Sequence, residues 1–156
     1  MAITRRTDYA VRLMYELAQL PTSATLSHRD LCEAAEIPES FGSSLIAFLV
    51  EGGLVRAGGH RENLLSLARP ADQIPVSWIV CACEPEFSIS ECAREPQSCP
   101  RSSRCGAHVM WVRLDQVIWD HLRTVTLADL TSMGPIKFED YTEAAQHPCE
   151  ERPDLD

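Results

Sequence analysis

The chain reads as a mainly α fold with one small β-hairpin, a winged helix-turn-helix followed by a long dimerisation helix. Three observations predict it. Two short helical patterns flank a brief break between Ser27 and Glu51, the spacing of a helix-turn-helix. Two short extended runs, Leu54-Val55-Arg56 and Leu64-Leu65-Ser66-Leu67, flank the polar turn Gly58-Gly59-His60 and read as a wing. A long amphipathic pattern then runs from Gly106 to about Arg123.

Each element has its own signals. Over residues 4–20, Val11, Met14, Leu17 and Ala18 make an apolar stripe, Thr7 or Asp8 caps or charges the first turn, and Pro21 ends the helix. Ser27 is placed to cap a second helix that turns Leu31 and Ala34 inward. After the break at Ile37-Pro38-Glu39-Ser40, Ser40 is expected to cap a third helix with Leu45, Phe48 and Leu49 inward, stopped by Gly52-Gly53. Residues 75–83 read as a fourth helix with proline at its first turn. In the long helix Trp111, Leu114, Ile118 and Leu122 recur at three- and four-residue steps, with Val117 and Val125 beside them. So much large apolar area on one helix calls for a partner, and in a chain this short that partner is the same helix of a second subunit. Thr126 caps a closing turn, Leu127 to Leu130. No internal repeat is present.

The chain has 156 residues, 45% of them apolar, which fits one domain or one small domain with an extension. It has no long apolar run and no apolar leader at its start, so a cytoplasmic protein without a membrane partner is expected. Seven cysteines without an export signal favour metal or redox chemistry over disulfides. The net charge is −9, but residues 1–70 are near neutral, with seven Arg against eight acids, while residues 133–156 carry two basic and seven acidic side chains. Residues 139–156 read as a mobile acidic tail.

Cys92, Cys99, Cys105 and His108, spaced C-x6-C-x5-C-x2-H, place four soft or borderline ligands within seventeen residues of a Pro-, Ser- and Arg-rich segment. The paired C-x2-C of ordinary zinc sites is missing. Cys81 and Cys83 lie two apart on a helix and point to different faces, so they read as buried or half-buried structural thiols; Cys32 reads as core and Cys149 as an incidental exposed thiol. Trp78, Trp111 and Trp119 read as packing anchors. No acid–base pattern accompanies any cysteine, so a thiol enzyme is not expected.

These residues together resemble the IscR/NsrR (Rrf) family of bacterial winged-helix regulators, many of which carry an iron–sulfur cluster. The opening Ile3-Thr4-Arg5-Arg6-Thr7-Asp8-Tyr9-Ala10 looks like that family's N-terminus. The run Cys92…Cys99…Cys105-Gly-Ala-His108-Val-Met-Trp111 looks like its cluster loop entering the dimer helix, and Thr126-Leu127-Ala128-Asp129-Leu130 is similar to its closing motif. The resemblance spans about residues 1–131. It implies a winged helix-turn-helix over 1–83, a cluster-binding loop over 84–107, a dimerisation helix and closing turn over 106–131, and the acidic tail over 132–156. It implies a homodimer that binds promoter DNA and senses redox state, iron or nitric oxide. Cys92, Cys99 and Cys105 would ligate iron, with two candidates for the fourth ligand. His108 matches the position that goes with a [2Fe–2S] cluster. Asp8 matches the one that goes with a [4Fe–4S] cluster, reached from the partner subunit.

The DNA-reading parts depart from the family pattern. No Lys or Arg occurs between Asp30 and Val55, so the second helix of the helix-turn-helix is not basic, and the wing reads His60-Arg61-Glu62-Asn63. The candidate DNA contacts are Arg5, Arg6, Arg12, Arg29, Ser43, Ser44, Arg56, His60 and Arg61. A chain with this scaffold and cluster that has lost operator recognition is the alternative.

Overall fold

In the computed structural model, which describes residues 3–21, 24–58 and 64–134, the predicted winged helix-turn-helix is present and is followed by a long helix. The elements are α1 (Arg5–Gln19), β1 (Leu26–Ser27), α2 (His28–Ala34), α3 (Glu39–Glu51), β2 (Val55–Gly58), β3 (Leu64–Leu67), α4 (Val76–Cys83), α5 (Glu91–Arg94), α6 (Gly106–Thr124) and α7 (Leu127–Met133). The wing is an antiparallel sheet of three strands rather than two, ordered β1-β3-β2. Leu26 and Ser27 pair with Leu65 and Leu64, so the residue that caps α2 is also fixed by the wing. The tip of the wing and the chain beyond Gly134 lie outside the described residues, while Ser132 and Met133, assigned by the sequence to the acidic tail, belong to α7.

The helix-turn-helix is framed by two Schellman stops. At the end of α2, Ile37 N–H reaches Cys32 O (2.9 Å) and Glu36 N–H reaches Glu33 O (3.1 Å). Glu36 takes the left-handed position at φ 55°, where glycine is the usual choice. At the end of α3, Leu54 N–H reaches Leu49 O and Gly53 N–H reaches Val50 O, with Gly53 at φ 67°. Both stops end in a buried apolar residue, Ile37 and Leu54. Ser27 caps α2 by accepting from Asp30 N–H (3.1 Å). Ser40, by contrast, does not cap α3. Pro38 holds that position, and its carbonyl accepts from Phe41 and Gly42, which puts Ser40 inside the first turn.

The main core joins α1, α2, α3, α4, α7 and the wing through Ala10, Leu13, Met14, Leu31, Leu45, Leu49, Leu54, Leu65, Ile79 and Leu127. Two inward expectations fail. Ala35 rather than Ala34 is buried, and Phe48 is exposed with the Arg6 guanidinium over its ring. Where α2 crosses α3, Gly42 leaves room for the Cys32 side chain, which a larger residue would force to move. A Cβ there would stand 2.2 Å from the sulfur of Cys32, itself in the core as expected.

A smaller core links α4 to α6. Val76, Val80 and Phe87 pack against Ile118, Trp119, Leu122 and Val125, with Phe87 edge-on to Trp119 at 5.7 Å. Trp119 is thus the packing anchor expected of it, whereas Trp78 and Trp111 remain 44% and 38% exposed. Backbone bonds from Val76 N–H to Val125 O and from Leu127 N–H to Ile74 O tie the start of α4 to the α6–α7 junction. Thr126 and Asp129 form a capping box on α7.

The start of α1 is capped from a distance. Thr4, its N-cap, makes no local side-chain cap. Instead the carboxylate of Glu84, just past α4, accepts from Thr4 N–H (3.3 Å) and from the hydroxyls of Thr4 and Thr7. In return, Arg6 donates to Cys83 O (3.1 Å) at the end of α4. Burial alone would raise the Glu84 pKa, but the Thr4 and Thr7 hydrogen bonds, with Arg6 nearby, outweigh it and hold the carboxyl below its ordinary value.

Both the Gly42 crossing and the Glu84 cap can be tested by substitution. Gly42→Ala gains helix propensity worth about 1 kcal/mol but should lose about 1–3 kcal/mol to overpacking, so the melting temperature falls; adding Cys32→Ala should recover most of it. A stable single variant would contradict the close approach. Glu84→Gln should destabilise by on the order of 1 kcal/mol, as loss of a charged cap does. Because the folded pKa is lowered, the charge stabilises above the ordinary glutamate value near 4.5, and that advantage is lost as pH falls below it through the folded value. The stability gap between wild type and variant, read by urea melts at several pH values, should therefore shrink in acid; a gap independent of pH would rule out a charged cap.

Candidate functional site

The cysteine segment is ordered by short turns rather than being one open loop. Cys92 lies in α5, Cys99 follows a 3-10 turn at Pro96–Ser98, and Cys105 is the N-cap of α6 after a second such turn at Ser102–Arg104. All three thiols are free and half-buried. The segment is anchored on α6. Asp115 accepts from Ser88 Oγ (2.8 Å) and Ile89 N–H (2.9 Å), and Ser88 is buried. Arg94 pairs with Glu86. Ser90 caps α5 and lies 3.6 Å from the Cys92 sulfur.

His108 sits on the first turn of α6, its N–H bonded to Cys105 O (3.1 Å). Its Nδ1 is buried and has no hydrogen-bond partner among the described residues, which is costly for an imidazole nitrogen unless something else engages it. Among the described residues no three His, Cys, Asp or Glu side chains are grouped closely enough to hold a single metal ion. A mononuclear tetrahedral site needs its donors on one point, whereas a cluster spreads its thiolates over several irons. Three free thiols and one unpartnered imidazole nitrogen are a donor set suited to the latter. Asp8 is differently placed. It is half exposed on α1 and ion-paired with Arg12 at 3.0 Å.

The remaining cysteines divide unevenly. Cys83 is buried, and burial, partly offset by Arg6, pushes its pKa up to about 11, so it stays a thiol. Cys81 is exposed, contrary to the expectation of a buried or half-buried pair, because it falls on the outer face of α4. Cys149 lies outside the described residues.

The candidate DNA contacts are spread over the helix-turn-helix. Arg5 and Arg29 are exposed. Arg6 is engaged by Cys83 O and Phe48, Arg12 by Asp8 and the Tyr9 ring, and Arg56 by Ala68 O (3.2 Å). Ser43 Oγ is 3.2 Å from His28 Nε2, and Ser44 Oγ donates to Phe41 O (3.0 Å). His60 and Arg61 lie outside the described residues.

A cleft of about 970 Å³ opens between α2, α3 and the wing, lined by His28, Arg29, Glu39, Ser43, Ala47 and Leu65 among others. Sequence reasoning missed His28. It joins Glu39 (3.6 Å) and Ser43 across the helix-turn-helix, and its one available signal was its place directly after the capping Ser27. The outer face of α3 presents Phe41, Phe48 and Val50 with Ser40, Ser43 and Ser44, bounded by Glu39 and Glu51. On α6 no residue is buried, and Val109, Met110, Trp111, Leu114 and Val117 are exposed. Among the described residues no helix is long and apolar enough to cross a membrane.

Comparison with known proteins agrees with this architecture. A family model described as Rrf2, iron-dependent transcriptional regulator, matches residues 3–133. Protein rrf2 of Nitratidesulfovibrio vulgaris is 28% identical over 130 residues, 83% of this chain and 87% of that one. The HTH-type transcriptional regulator IscR of Erwinia tasmaniensis is 28% identical over 132 residues, 85% of this chain and 79% of that one. Among solved structures, the cysteine regulator CymR of B. subtilis superposes with a TM-score of 0.70 at 22% identity, covering 86% of this chain and 99% of that one. IscR of T. potens gives 0.67 at 22%, covering 90% and 96%. The winged-helix architecture is shared with both solved structures, and the sequence relatives are regulators rather than enzymes. By the match along almost all of its described length, this chain belongs to the Rrf2 family of transcriptional regulators.

Proposed function

We propose that this regulator binds promoter DNA as a homodimer and holds an iron–sulfur cluster in each subunit through Cys92, Cys99, Cys105 and His108. The unpartnered, buried Nδ1 of His108 carries the reading. It supplies a nitrogen donor one helical turn from Cys105, whereas Asp8 already has a charged partner. By the family resemblance, a His108 ligand goes with the [2Fe–2S] form, whereas an Asp8 ligand would go with a [4Fe–4S] cluster. When bound, such a group would supply a redox-active centre, with the imidazole of His108 leaving one iron less tightly held than three thiolates alone would. The exposed apolar side chains of α6 support a second copy of the same helix as its cover.

The rest of the mechanism belongs to the chain. Residues 85–104 connect α6 to Glu84, and Glu84 caps α1. A change of order in the cysteine segment therefore reaches α1 through one carboxylate, and α1 carries Arg5 and Arg12 beside the helix-turn-helix. Two such units in a dimer shift together, and their presentation to DNA shifts with them. A second reading is favoured by one observation. The outer face of α3 offers apolar, hydroxyl and acidic groups and no basic one, which also suits a cluster-carrying protein of this fold that no longer recognises an operator.

Anaerobic purification with absorbance and native mass spectrometry should show iron and sulfide on each subunit. His108→Ala should lose the cluster or alter its spectrum, and Asp8→Ala should leave it unchanged; the reverse pattern would transfer the fourth-ligand role to Asp8. Colourless, iron-free protein after reconstitution would refute the cluster. For DNA, affinity for the promoter of its own gene should fall with salt, and Arg5→Ala should make that salt dependence shallower by a slope of about one for each phosphate Arg5 neutralises. Val117→Glu should shift the protein from dimer to monomer by light scattering and weaken binding. No affinity for any promoter fragment, with or without cluster, would leave the second reading standing.

A further inference from the structure

We propose that Ser90 is a positioning residue for Cys92, its hydroxyl donating to the thiolate sulfur and raising the reduction potential of the bound cluster. The inference rests on the cluster reading above. Ser90 is the N-cap of α5, and its Oγ accepts from Ala93 N–H at 3.2 Å. One lone pair is thereby committed and the hydroxyl proton is left free. Cys92 Sγ stands 3.6 Å away, within hydrogen-bond range for the larger sulfur atom. In a free thiol either atom donates. A thiolate bound to iron has no proton, so the direction is fixed from Ser90 to sulfur.

The hydroxyl is held in place from α6. Asp115 accepts from Ser88 Oγ (2.8 Å) and Ile89 N–H (2.9 Å), while Ser88 Oγ also lies 3.0 Å from Ser90 O. The helix that Cys105 precedes as N-cap thus orients the donor that addresses Cys92. Among the described residues, Ser90 is the one hydroxyl hydrogen-bonded to any of the three sulfurs. A donor to a ligating sulfur withdraws electron density from the iron and favours the reduced state. In the redox step one electron, supplied by a mediator, enters the cluster. The Ser90 proton stays on its oxygen throughout.

The test is a mediated redox titration of full-length, anaerobically prepared protein carrying Ser90→Ala, Ser90→Gly or Ser90→Thr. Alanine should lower the potential. Glycine, which keeps most of the cap but has no donor, should lower it equally, and threonine, which keeps both, should match wild type. Potentials unmoved in the alanine and glycine variants would overturn the role of Ser90 while leaving the cluster in place. A glycine variant restored to the wild-type value would assign the effect to the cap and overturn it as well. Wild-type protein that holds no cluster would fail the underlying reading and this inference with it. If neither variant retains its cluster, resonance Raman of the wild type decides. An iron–sulfur stretch that shifts in deuterated water supports the donor, and one that does not removes it.

Discussion

An α-helix starts with N–H groups that find no partner within it, and α1 takes its partner from a residue 80 positions downstream. The carboxylate of Glu84 sits at the positive end of the α1 dipole. The guanidinium of Arg6 sits at the negative end of α4, on the carbonyl of Cys83. Each helix end thus satisfies the other's unpaired groups with a charge of the right sign. The placement sets the rest. Residue 84 is where α4 stops and the cysteine segment begins, so the element that leads towards the thiols is the element that closes the N-terminus of the helix-turn-helix unit. The high pKa of buried Cys83 fits the same picture, since a neutral thiol there leaves the charge pairing undisturbed.

Much of the fold was legible because its signals are local. Ser27 and Thr126 cap as their side chains require, and the glycine pair at Gly52-Gly53 ends α3 by the motif expected of it. The misreadings each had a competing cause. Ser40 was outranked by Pro38, whose fixed φ suits the entry to a helix and whose carbonyl accepts from the N–H groups of Phe41 and Gly42. Phe48 and Trp78 have the size of core residues but are covered by arginine faces instead, which no periodicity reports. β1 has only two residues and owes its existence to β3, a long-range pairing with no local pattern. Among the candidate site residues, the cysteines and His108 stand out in the sequence by type and spacing. Glu84, Asp115 and Ser90 did not, because their roles arise from partners far away in the chain or from the geometry of a helix cap.

Among the described residues, α6 and α3 each leave several large apolar side chains uncovered, with different consequences. On α6 the uncovered area is broad, from Val109 to Val117, and is the surface the proposed dimer would cover. On α3 it is smaller and mixed with serines, and Phe41 is already held edge-on by Tyr9 at 5.5 Å. Any reading of DNA by α3 would rest on hydroxyls and on apolar contact with base methyls, and the electrostatic share of affinity would come from α1, Arg29 and the wing. The link from α1 to Glu84 would then matter, because α1 would supply part of that charge and Glu84 borders the cysteine segment.

If the state of the cysteine segment reaches α1 through Glu84, the coupling must show at the backbone amides of both. Hydrogen exchange measured on cluster-loaded and cluster-free protein tests it there. Removing the cluster should raise exchange both in residues 85–104 and at the first-turn amides of α1, and in Glu84→Gln the α1 amides should exchange fast in either state. Exchange that rises in the cysteine segment while the start of α1 stays equally protected in both forms would contradict the coupling.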